Sequence, residues 1–325
     1  MQIIIVADGN NKIGMGHVYR ALNLSSVLKK NGHKIIFLTK EPFTKRAMSK
    51  TNECKLIQKL SNNQIQKFLK KKSPDIIIID KLNETKKNLI TFKKFCPILG
   101  IDYTGKHKEL FDYGINILYP KSGISKKSFS SLDYAIFNEK FKQIKKKKIR
   151  KEVRSILILQ GGADTYCFTP KIIKAVYGLE NNFKISVILG PSFRCWSRLN
   201  HALKKRGKPV KIYHNVKNMP FLMRKYDFAI TAAGNTLLEL AYLGIPSVVI
   251  CGERFEIETA KLLESKGFGI NIGFGKDITS SKIRYQLMKL VKDYSLRKKM
   301  NRMGPKLIDG KGSSRISKIL CSKIK

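Results

Sequence analysis

The chain has 325 residues, 42% of them hydrophobic, with 65 Lys and Arg against 23 Asp and Glu, a formal net charge of +42. That length and apolar content predict a globular protein of two ordinary domains, and no apolar run reaches the roughly 18–20 residues a membrane-spanning helix needs. Charge alone does not predict a nucleic-acid partner, because the lysines are spread over every predicted helix, without a binding motif or the aromatic-basic interleaving that stacks bases.

The first predicted strand is Gln2–Val6. It starts at once and reaches Asp8 too soon for a secretory signal, so a cytoplasmic protein is expected. Gly14-Met15-Gly16-His17-Val18-Tyr19-Arg20 follows and opens a helix with apolar positions at Val18, Leu22, Leu24 and Val27. A histidine held between glycines at a strand-to-helix turn is well placed for chemistry. Ligands bind at strand carboxyl ends in open α/β sheets, and helix amides there favour an anion. The bland alternative is a Gly-rich turn with a surface histidine.

Further strands are predicted at Lys34–Leu38, Asp75–Asp80, Pro97–Ile101 and Ile115–Tyr119, with a helix at Asn62–Lys71. They are continuous Ile/Val/Leu runs, as expected for a parallel sheet covered by helices on both faces. The lysine-rich stretch from Phe141 to Lys151 is the predicted linker, since a run of like charge repels itself. The expected domains are therefore 1–150 and 151–325, with a ligand cleft between them.

The second half repeats the pattern, with strands at Ser155–Leu159, Lys184–Leu189, Pro209–Tyr213, Phe228–Thr231, Ser247–Cys251 and Gly269–Ile272, and a helical tail at Ser313–Lys323. The fold class is α/β, two doubly wound Rossmann-like domains. With the G-x-G-H turn, two turns of this half make three Gly-rich turns at strand ends: Gly161-Gly162-Ala163-Asp164 and Ala233-Gly234-Asn235-Thr236. Backbone amides in the last can cradle phosphate, and Glu239, a turn further on, can accept from ribose hydroxyls. A capped helix start with small residues for close packing would look the same.

Six cysteines without C-x-x-C spacing predict neither a zinc site nor a disulfide framework, and most are expected to be small buried hydrophobes. The five histidines show no metal-binding pattern, so no metal and no cofactor are expected.

G-x-G-H-x-x-R after the first strand, G-G-A-D opening the second half, A-G-N-T-L-L-E-L-A-Y-L-G-I-P, Tyr134-Ala135-Ile136 and the closing Asp309-Gly310-Lys311-Gly312-Ser313-Ser314-Arg315 together resemble one family. It is that of the UDP-sugar hydrolases of the pseudaminic-acid pathway, which includes the spore-coat polysaccharide biosynthesis G proteins. The resemblance covers nearly the whole chain. It implies the GT-B fold, UDP held mainly by the C-terminal half, and a metal-independent attack of water on the anomeric carbon. The substrate in that branch is UDP-2,4-diacetamido-2,4,6-trideoxy-β-L-altropyranose. Carried over, His17 is the general base, Gly14, Met15 and Gly16 shape the turn, Ala233, Gly234, Asn235 and Thr236 bind diphosphate, and Glu239 binds ribose.

Asp8, Gly161, Gly162 and Gly190 join the expected substrate contacts. Arg20 shares a helix face with His17 and can meet the charge of departing UDP, or else pair with Asp8. The expected partner is a UDP-sugar. A basic surface would attract it and could also rest weakly on anionic lipid. A monomer is expected.

Three departures alter the sugar end. Val6-Ala7-Asp8 stands where the hydrolases have Arg-Ala-Asp, Asp80-Lys81-Leu82 where they have Asp-His-Tyr, and Phe255-Glu256 where they have Asn-Gln. A glycosyltransferase on the same scaffold, with His17 deprotonating an acceptor hydroxyl, is therefore the alternative. A nucleotide-sugar-binding protein without turnover is a third reading.

Overall fold

The computed structural model describes residues 1–10, 14–50, 52–58, 60–121, 123–179, 183–204, 209–214 and 216–323. The chain divides into two compact units. One is Met1–Asn138 together with Gly310–Lys325, the other Glu139–Asp309.

The first unit is built on a seven-stranded parallel sheet. Its strands are β1 (Gln2–Ala7), β2 (Lys34–Thr39), β3 (Glu53–Leu56), β4 (Ile76–Asp80), β5 (Ile98–Ile101), β6 (Tyr113–Asn116) and β7 (Ser128–Ser130), in the order β3-β2-β1-β4-β5-β6-β7. The isoleucine runs of β1 and β4 lie in the middle and are fully buried on both faces, which is why they read as continuous apolar segments. In register, Ala7 of β1 stands beside Asp80 of β4, so the carboxyl end of β1 and that aspartate meet at one edge.

The second unit repeats the design with β8 (Ser155–Leu159), β9 (Lys184–Leu189), β10 (Val210–His214), β11 (Phe228–Thr231), β12 (Ser247–Cys251) and β13 (Ile270–Phe274), ordered β10-β9-β8-β11-β12-β13. Again every pairing is parallel. The carboxyl ends of β9, β8 and β11 are consecutive, which gathers the Gly190, Gly161–Asp164 and Ala233–Gly234 turns along one edge.

The predicted division at 150 is corrected in two ways. The boundary falls at Asn138, and the tail returns to the first unit. Asn31, at the end of the helix Gly16–Lys30, donates to Ser317 at 2.8 Å, and Arg315 donates to the carbonyl of Asp133 at 2.9 Å. A side chain at Gly312 would collide with the backbone of Tyr134 and Ala135. Gly312→Val is accordingly expected to detach the helix Gly312–Lys323. Faster proteolysis of the tail and a lower melting temperature would report it; an unchanged melt would refute it.

The lysine run is not a loose linker either. Phe141 is buried, Lys147 pairs with Asp227 at 3.3 Å, and the Lys147 amide donates to Leu243 at 2.8 Å. Arg297 donates to the carbonyls of Arg150 and Lys151. One distant ion pair, the buried Phe141 ring and backbone hydrogen bonds to residues far away in sequence hold the run in place despite its like charge.

Candidate functional site

In the first unit the sequence motif becomes a defined cluster. Gly14 has φ +75°, a left-handed conformation that glycine adopts without strain, and it turns the chain into the helix Gly16–Lys30. Met15 is buried at the helix start with no capping side chain. His17 stands in the first turn, and its Nδ1 lies 2.8 Å from Asp80 Oδ1. This contact assigns the Nδ1–H tautomer, with Nδ1 donating to the carboxylate. Among the described residues Nε2 has no hydrogen-bond partner, and 19% of the side chain is exposed. A ring held at one nitrogen and open at the other is a base ready to accept a proton.

Arg20 is sealed in an ion-paired cluster. It is 2% exposed, its Nε donates to Asp80 at 3.0 and 3.2 Å and its Nη2 at 2.6 Å, and its Nη1 donates to Asp102. The expected contact with UDP is thus corrected, and the partner is not Asp8 but two buried aspartates. Burial opposes the charge of Asp80, yet the Arg20 guanidinium and the bond to His17 outweigh it and hold the carboxyl below its ordinary range. Burial likewise opposes the Arg20 charge, and both carboxylates together raise its proton affinity.

Asp8 belongs to a neighbouring network at the ends of β1, β2 and β4. Its Oδ1 accepts from Thr39 Oγ1 at 2.7 Å and the Lys40 amide at 2.8 Å, and its Oδ2 pairs with Lys81 Nζ at 2.5 Å. Lys81 also pairs with Glu84 at 2.7 Å, and Glu84 with Lys40. Burial works against the Glu84 charge, but Lys81 and Lys40 hold the carboxyl down to about 2. Lys81, one of the departures noted in the sequence, is thus neutralised within the fold.

In the second unit, Gly161 has φ +69°, and Gly190 packs so tightly on Gly162 that no side chain fits. The Ser192 amide donates to the Gly162 carbonyl at 3.1 Å. Asp164 accepts from the amides of Phe168 and Thr169 at 2.8 and 2.9 Å, capping the helix Phe168–Tyr177. Asp164→Ala is expected to cost about 1 kcal/mol, typical of a lost cap, measured by chemical denaturation; no change in the midpoint would refute it. Cys167 and Cys195 form a disulfide that ties these two turns together. The spacing predicted no disulfide framework, and this one bond departs from that expectation because 28 residues of separation hide a contact that tertiary folding creates.

Gly234 precedes the helix Asn235–Leu243 without a capping side chain. No acidic residue lies in the helix's own first turn, but the Ala233 amide, expected to bind diphosphate, is taken by a carboxylate from outside the helix. Glu256, flagged in the sequence only as a departure, braces this turn: its carboxylate accepts from the amides of Gly252 and Ala233 at 2.7 and 3.3 Å. Although burial pushes its carboxyl up, those amides favour the charged form.

Glu239 is half-buried as a residue, yet its carboxyl is desolvated and pushed up to about 8. A carboxyl that binds its proton more tightly when folded than when unfolded makes stability fall as pH rises between about 4.5 and about 8. Glu239→Gln is expected to flatten that fall and to stabilise the protein by about 1–2 kcal/mol at the upper end, after allowance for its partial exposure. Denaturation midpoints across that range check it; parallel curves for the two proteins would overturn it.

Among the described residues, no three His, Cys, Asp or Glu side chains gather to hold a metal ion, and no helix is long and apolar enough to cross a membrane.

The glycosyltransferase family 28 C-terminal domain matches residues 131–313, more than half of the chain. The chain belongs to this family. It is 26% identical to the spore coat polysaccharide biosynthesis protein SpsG of Bacillus subtilis, over 98% of both chains. It is 35% identical to the uncharacterised protein MJ1062 of Methanocaldococcus jannaschii over 285 residues, 79% of this chain but 57% of that one, so it spans little more than half the length of this relative. The structure is similar to that of Acinetobacter baumannii MurG, with a TM-score of 0.68 and 13% identity over 98% of this chain and 99% of that one. This likeness shows the fold, GT-B with two Rossmann-like units.

Asp80 and Asp102 escaped the sequence reading as partners of the motif. One signal was present: Asp80 closes a run of four isoleucines and so sits where a strand delivers its last side chain to the sheet edge.

Proposed function

We propose that the chain is a sugar-transferring enzyme of polysaccharide biosynthesis that uses a UDP-sugar, with His17 as general base. The observation that carries this reading is the His17–Asp80 couple, with Nδ1 fixed at 2.8 Å and Nε2 open. Family membership and the SpsG likeness favour glycosyl transfer. In the reaction, Nε2 takes the proton of an acceptor hydroxyl as its oxygen attacks the anomeric carbon. The bond from that carbon to the diphosphate oxygen breaks, and UDP leaves with its electrons. The amides at Gly234–Thr236 meet the diphosphate charge, and Glu239 accepts from the ribose hydroxyls.

The second reading replaces the acceptor with water. It is favoured by the G-x-G-H-x-x-R and A-G-N-T-x-x-E pattern, which resembles the UDP-sugar hydrolases. One experiment separates the two. Purified protein is incubated with a panel of UDP-activated acetamido sugars, with and without glycan or lipid acceptors, and products are read by mass spectrometry. Release of UDP only with an acceptor supports transfer; release with water alone establishes hydrolysis. Tight UDP binding with no donor consumed under any condition overturns both.

A further inference from the structure

We propose that Asp102, which does not touch His17, supplies the negative charge that lets His17 accept a proton, so that Arg20 and Asp102 act together as a positioning pair for the base. The inference rests on His17 being that base. Asp80, Arg20 and Asp102 have side chains no more than 1% exposed, so their charges are not screened by water.

Asp80 and Arg20 alone make a neutral pair. A proton passing to His17 beside them would leave a buried group at +1, which is unfavourable. Adding Asp102 gives the three groups a net charge of −1. The same proton transfer then takes the cluster to neutrality, and the imidazolium formed during the reaction is stabilised.

Asp102 is fixed for this task. Its Oδ1 accepts from the amides of Ile117 at 2.6 Å and Leu118 at 2.9 Å, leaving Oδ2 for Arg20. Its φ is +49°, a left-handed conformation in which Asp and Asn are among the tolerated residues.

The other charged groups around the base do not compete. Asp8, Lys81, Glu84 and Lys40 are paired among themselves. Lys45 and Arg46 on the helix Pro42–Met48 are exposed. From the tail helix, Ser317 meets Asn31 at the opposite end of the helix that carries His17.

The test is the titration of His17 in the full chain labelled with ¹⁵N-histidine, its signal assigned by loss in His17→Gln. Asp102→Asn keeps the amide-accepting oxygen and the left-handed backbone, and is expected to lower the His17 midpoint by about one pH unit. The double variant Arg20→Gln/Asp102→Asn restores the net charge of −1, and the midpoint is expected to return to near the wild-type value. A merely structural role predicts a double variant at least as perturbed as the single. An unmoved midpoint in Asp102→Asn, or no recovery in the double, overturns the inference. If Asp102→Asn does not fold, Arg20→Gln replaces it: its net charge of −2 should raise the midpoint, and a lowered or unchanged value overturns the inference.

The readout needs no substrate. A histidine that responds as stated in a protein that turns over no nucleotide sugar defeats the functional reading alone. An unresponsive histidine in an active enzyme defeats this inference alone.

Discussion

His17→Ala is expected to slow UDP release by about 10²–10⁴-fold, the contribution typical of a positioned general base, while UDP affinity stays unchanged. The split follows from the proposed roles: the imidazole touches Asp80 and Arg20 in the first unit, whereas the turn at Gly234 and Glu239, proposed to bind UDP, belongs to the second. Asp80→Asn should reproduce much of the loss, because an amide in place of the carboxylate no longer fixes the Nδ1–H tautomer. Rates with a UDP-sugar donor and UDP titration by calorimetry give the two quantities separately. Full turnover in His17→Ala would remove the base from the mechanism, and lost UDP affinity with an unchanged rate at saturation would make His17 a binding residue.

Arg20→Ala is expected to destabilise the protein by about 3–5 kcal/mol, the cost of stranding buried charge when one partner of an ion pair is removed. Here one arginine serves two aspartates, Asp80 and Asp102, both at 0% exposure. Chemical denaturation measures the loss. The sign with pH is also determined: Asp80 is held below its ordinary range by Arg20 and His17, so it contributes stability above its unfolded value that is lost as pH falls through the folded one. In Arg20→Ala that contribution shrinks, and the destabilisation should be smaller in acid than at neutral pH. A cost below about 1 kcal/mol at neutral pH would show that the aspartates find other partners or water.

Much of the fold is legible in the chain. Strands β1, β2, β4, β8, β9, β11 and β12 coincide closely with Ile/Val/Leu runs because they are central and covered on both faces. Strands β3 (E-C-K-L) and β7 (S-F-S) were missed, for they are the sheet edges and only half buried. The strand expected at Ile115–Tyr119 lies at Tyr113–Asn116, and Ile117 and Leu118 instead turn their amides to Asp102. The site shows the same division. His17 and the turn glycines stand out locally, whereas nothing near Arg20 says that its partners are 60 and 82 residues away.

What the chain determined by itself is therefore the alternation of strands and helices, the Gly-rich turns at strand carboxyl ends, and His17 as the residue to suspect. Each depends on a few consecutive residues: apolar runs buried in a sheet, or a backbone that must turn at φ > 0. Only the tertiary structure decided that Arg20 is sealed between Asp80 and Asp102, that Cys167 meets Cys195, and that the tail folds back onto the first unit. The first of these follows from the parallel register that sets Asp80 beside Ala7 and from the high cost of burying charge unpaired. Both act between residues far apart in sequence, where no local pattern can record them.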